Sequence, residues 1–84
     1  MDFKKNAGYI IVNEFEVGET KIVLGVHENL PNRFVTWECK DNDYFWGHYF
    51  SDMLAAEKDF LMRGLERVKL YEQINKRKEP EPER

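Results

Sequence analysis

The sequence predicts an α+β domain: a four-stranded antiparallel β-meander followed by one long C-terminal amphipathic helix packed on one face (β-β-β-β-α). Three observations predict it. Four runs rich in β-branched and aromatic residues follow one another, separated by short Gly, Pro, Asn or Asp signals. The stretch from Asp52 to about Lys76 has no proline and carries its apolar residues at helical spacing. The last of the four runs, Tyr44 to Phe50, with rings at both parities, follows a turn signal and runs directly into a helix start, as the last strand of a sheet does.

Residues 1–8 are polar and without periodicity, so a flexible N-terminus is expected, followed by a single domain over 9–76. Tyr9 to Val17 alternates in its second half, with Phe15 and Val17 opposed to Glu14 and Glu16, the pattern of a half-buried strand. Gly18-Glu19 breaks it, and Thr20 to His27 returns with Ile22, Leu24 and Val26 on one face. The short glycine-containing connection predicts an antiparallel hairpin. Glu28 to Asn32 is a loop, because Pro31 lacks a ladder donor and steers its neighbour away from helix. Arg33 to Lys40 is the third strand and Asp41-Asn42-Asp43 its turn, since Asn and Asp tolerate left-handed backbone angles.

A three-residue loop there pairs Lys40 with Tyr44, Trp37 with Gly47 and Val35 with Tyr49, laying the Trp37 indole over the bare backbone of Gly47. A loop of two or four residues would turn every partner to the other face. Ser51 or Asp52 then caps the helix. Its broad apolar stripe is Met53, Leu54, Phe60, Leu61, Gly64, Leu65, Val68 and Tyr71, with Lys58, Asp59, Arg63, Glu66, Lys69 and Gln73 outside it. Gly64 on that stripe costs about 1 kcal/mol of helix propensity, which a close approach to a ring of the sheet would explain. Residues 77–84 form a charged, Pro-punctuated tail expected to be disordered.

Composition narrows the function classes. With 84 residues the chain makes one domain, and its single cysteine, Cys39, excludes an internal disulfide framework and a multi-cysteine zinc site. No apolar run is long enough for a signal peptide or a membrane span, so a cytoplasmic protein with no membrane partner is expected. The formal charge of -3 disfavours a partner held through its phosphate backbone. The glycines are scattered and no metal-ligand spacing occurs, so no cofactor, metal ion or catalytic residue is assigned.

One helix covers one face, and the register above leaves Phe34, Thr36, Glu38, Tyr44, Trp46, His48 and Phe50 on the other. A contiguous set of rings marks an interface. The expectation is therefore a non-enzymatic interaction module whose contact residues are Phe34, Tyr44, Trp46, His48 and Phe50, meeting a protein partner or a second copy as a homodimer. A single-stranded nucleic-acid binder is the alternative, since rings on a sheet stack bases, but the interleaved cations are sparse. A further alternative, a small enzyme or ligand-binding protein, rests on Glu57, which breaks the apolar stripe as a candidate buried carboxylate between helix and sheet.

The run Phe34-Val35-Thr36-Trp37, the string Tyr44 to Phe50, then Ser51-Asp52 and Ala55-Ala56 resemble a family of small uncharacterised proteins of conjugative elements in gut-dwelling Gram-positive bacteria. The likeness covers about residues 22–70. It implies a bacterial cytoplasm and an accessory role in mobile DNA, and it carries over no catalytic or binding residue.

Overall fold

Alternating runs joined by short turns, and by a longer loop over residues 28–33, fold back on themselves, and in the computed structural model five strands and one helix follow in order. They are β1 (Lys5–Asn6), β2 (Tyr9–Val17), β3 (Thr20–His27), β4 (Phe34–Lys40), β5 (Asp43–Phe50) and α1 (Met53–Lys78). The structure describes residues 4–78, with side chains over 4–75. Every pairing is antiparallel between sequence neighbours, giving one sheet in the order β1-β2-β3-β4-β5 with α1 on one face.

The expected four strands are β2 to β5, and a fifth precedes them where a flexible start was expected. Lys5 and Asn6 pair with Ile10 and Tyr9 across an Ala7-Gly8 turn whose residues both have positive φ (53° and 86°). Two successive left-handed residues give the turn whose twist matches an antiparallel pair. Residues 77 and 78 continue α1, and the rest of the expected disordered tail lies outside the described residues, as do residues 1–3.

The β4–β5 register departs from expectation at one end and agrees at the other. Asp41 and Asn42, at φ 54° and 68°, make a two-residue turn, so Lys40 pairs with Asp43 rather than Tyr44. Continued unbroken, that register would set Val35 opposite His48 and turn over the rest of the strand. A β-bulge intervenes instead, with Trp46 at φ 58°, and beyond it Val35 pairs with Tyr49 as expected. The bulge adds back the residue that the shorter turn removes. Tyr44 consequently faces one way and Phe50 the other.

Face assignment is the larger correction. Phe34, Thr36, Glu38, His48 and Phe50, expected on an open face, lie on the side that α1 covers. There Ile22 and Leu24 pack on Ala56 and Phe60, with Phe34, Phe50 and Met53 against them. The other side carries Tyr9, Ile11, Val23, Val35, Trp37 and Cys39, joined by Tyr44. Among the described residues no helix caps it, yet Trp37 is only 4 % exposed. The reason is curvature. Tyr9 on β2 meets Tyr49 on β5 with ring centroids 6.1 Å apart, although strands three places apart in a flat sheet are separated by about 14 Å. The sheet curls toward its ring side until β2 and β5 share a core. Burial raises the Tyr44 phenol above its usual range, and the Lys4 ammonium, from the other edge of the sheet, is near enough to pull it partly back.

The helix begins at Asp52, whose Oδ2 accepts a bond from the Ala55 amide at 2.9 Å. It lies close to the sheet: a β-carbon built on Gly64 would stand 2.9 Å from Cδ2 of Phe15. Among the described residues no helix is long and apolar enough to cross a membrane.

Candidate functional site

Two features of α1 stand out, a polar seam beneath it and an apolar trough along its flank. The seam is built from residues the helical pattern left on the solvent side. Thr36 is fully buried on β4, and a buried hydroxyl must find partners. Its Oγ1 donates to Oδ2 of Asp59 at 2.6 Å and accepts from Nη1 of Arg63 at 3.0 Å. The same Arg63 nitrogen donates to the Thr36 carbonyl at 3.2 Å. Nδ1 of His48 donates to Oδ2 of Asp59 at 3.0 Å. Glu38 closes the row, 2.9 Å from Arg67 and 4.0 Å from Arg63.

The seam ties α1 to β4 and β5. The Thr36 proton is committed to Asp59 and its oxygen is sealed from solvent, so it is not placed as a nucleophile. Asp59, Arg63 and Arg67 recur every four residues, which sets them on one face of the helix. That spacing, opposite the polar residues Thr36, Glu38 and His48 of one hairpin face, is the signal by which the sequence could have disclosed them.

The residues expected at a site disperse. Phe34 and Phe50 are part of the helix-side core, and His48 belongs to the seam. Tyr44 packs edge-on against Trp37 on the opposite side, with centroids 5.4 Å apart. Trp46 stands 69 % exposed on the bulge, touching Phe45. Glu57 is exposed rather than buried, because the helix presents it beside the sheet and not over it; it lines the open groove between α1 and the sheet. Cys39 is buried on the ring side, away from His48. Among the described residues no group of three or more His, Cys, Asp or Glu is placed to hold a metal ion.

What the structure adds is the trough. Because α1 runs over β3 and β4, the helix side of β2 is only half covered, and Phe15 remains 42 % exposed. Between β2 and α1 lies an open groove of about 590 Å³ whose walls include Asn13, Leu54, Phe60 and Leu61. It continues past Phe60 and Leu61 into a second, of about 210 Å³, walled by Phe15, Leu65 and Val68. Leu54 and Leu61 are 72 % and 67 % exposed on its outer lip, with Leu65 beside them. Comparison of the chain with family models, curated proteins and solved structures returns no match.

Proposed function

We propose that this chain is a small protein-interaction module without catalytic chemistry of its own, and that it works by seating an amphipathic helix of a protein partner in the α1–β2 trough. The observation that carries this reading is the continuous apolar lip Leu54, Leu61, Leu65 beside the half-covered Phe15. Isolated exposed leucines are ordinary, but three on one lip of one groove form a patch, and such patches mark contact surfaces. From residue 54 to residue 68 the lip runs about 21 Å along the helix axis, the length of four turns. Its anchors recur at helical spacing, which suits a helix laid alongside better than an extended strand.

The test is a triple variant, Leu54→Gln, Leu61→Gln, Leu65→Gln, chosen because glutamine matches leucine in helix propensity. Unfolding by urea should shift by less than about 1 kcal/mol, the range of surface changes. Binding of an apolar fluorescent dye should fall by most of its intensity. A variant that unfolds would assign the leucines to the domain's own core, and dye binding that persists would locate the sticky surface elsewhere; either ends the reading.

A further inference from the structure

We infer that the helix that fits the trough is α1 of a second copy of this chain, lying antiparallel to the first. This rests on the docking reading above and adds to it the identity and direction of the occupant. The outward stripe of α1 reads Leu54, Lys58, Leu61, Leu65, Val68, Glu72. Leu54 and Glu72 are separated by 18 residues, about five whole turns, so the two ends of the stripe point the same way. Lys58 and Glu72 are both exposed, and neither makes an ion pair among the described residues.

A stripe with a cation near one end, an anion at the other and leucines between is complementary to itself turned end for end. In a two-fold contact, residue i meets j while j meets i. With the axis at the level of Arg63, Leu61 of each copy meets Leu65 of the other. Each Glu72 then falls level with Leu54 of the other copy, one turn from its Lys58, within reach of two long side chains. Two reciprocal ion pairs flank an apolar centre. Parallel packing would set Lys58 on Lys58 and Glu72 on Glu72, so charge selects the antiparallel arrangement.

The prediction is tested on the full chain by sedimentation across a concentration series. Wild type should reach a dimer mass. Lys58→Glu and Glu72→Lys, each alone, replace two attractive contacts by two repulsive ones and should weaken self-association by roughly tenfold or more. Mixed in equal amounts, with one carrying a ¹⁵N label, the two variants should form a heterodimer at wild-type affinity, because every mixed contact is again opposite in sign. The double variant Lys58→Glu, Glu72→Lys should recover the homodimer. Circular dichroism should be the same for all four proteins, since both positions are exposed. A wild type that stays monomeric overturns self-pairing, and if the triple leucine variant still loses its dye binding, the trough is left to a helix of another protein. Single charge variants that dimerise like wild type, or a mixture with no heterodimer, overturn the antiparallel pairing.

Discussion

Each side of the sheet buries a core, and the two are closed by different means. On the helix side, Ala56 and Phe60 of α1 are laid on Ile22 and Leu24, and a polar seam of Thr36, Asp59 and Arg63 runs beside that contact. On the ring side none of the described elements is laid on top. Trp37 stands nearly perpendicular to Tyr9, Tyr44 and Tyr49, with interplanar angles of 86°, 84° and 89°, and these edge-on rings together with the curl of the sheet exclude water. Rings at both parities of a strand therefore do not by themselves require a partner. A curled sheet with large side chains can close one face alone, and its single helix is then free to sit off centre and leave a flank open.

The comparison breaks most readily at Trp37. Trp37→Ala should cost about 4–5 kcal/mol in urea unfolding, at the upper end for an aromatic truncation, since three rings lose the edge they lean on. Phe60→Ala on the helix side should cost about 3 kcal/mol, because the helix can settle into the space. If Phe60 proves the costlier, the ring side is not an independent core. Next in size is Gly47→Ala. A β-carbon there would stand 2.8 Å from Nε1 of Trp37, and the buried indole has little room to yield, so a loss of about 1–3 kcal/mol is expected. An unchanged midpoint would mean that the indole moves freely.

Thr36→Val probes the seam. It keeps the shape and removes the bond to Asp59, for an expected loss of about 1 kcal/mol; no loss at all would make the seam irrelevant to stability. The smallest effect is expected at Gly64→Ala. About 1 kcal/mol of helix propensity is gained and offset by contact with Phe15, whose half-exposed ring can tilt away, leaving a net change under about 0.5 kcal/mol. In a Phe15→Ala background the same substitution should stabilise by close to that full 1 kcal/mol. A double-mutant cycle reads the difference directly, and additivity would remove the contact from the account.

The strands β2 to β5 and the helix were legible because their periods are clean, and the packing of Trp37 on Gly47 followed from pairing Val35 with Tyr49. What stayed hidden has specific causes. The two-residue turn at Asp41-Asn42 and the bulge at Trp46 cancel beyond the bulge, so loop length alone could not give the register. β1 is a lysine and an asparagine with no apolar signature, held by backbone pairing. The helix deceived by breadth: Leu54, Leu61 and Leu65 share a wide apolar arc with Phe60, but only the margin of that arc carrying Met53 and Phe60 meets the sheet core. For the same reason Asp59 and Arg63 fall outside the apolar stripe, just beyond its sheet-facing margin, while the Arg63 side chain is only 10 % exposed. Helical periodicity gives directions around an axis and not the width of the surface that will receive them.

The left-handed backbone at Trp46 has a consequence for the chain's life at high concentration. β5 is the last strand of the sheet, so among the described residues one row of its amides and carbonyls faces no neighbouring strand. From Tyr44 to Phe50 that edge contains no proline, lysine or carboxylate, the usual guards against fibril growth. A fibril-forming edge needs about six residues in unbroken extension. The torsion at Trp46 divides this one into Asp43–Phe45 and Gly47–Phe50, each too short to template a second chain. Excising Trp46 should yield a protein that still expresses but gels on concentration, because the edge would then run unbroken from Asp43 to Phe50.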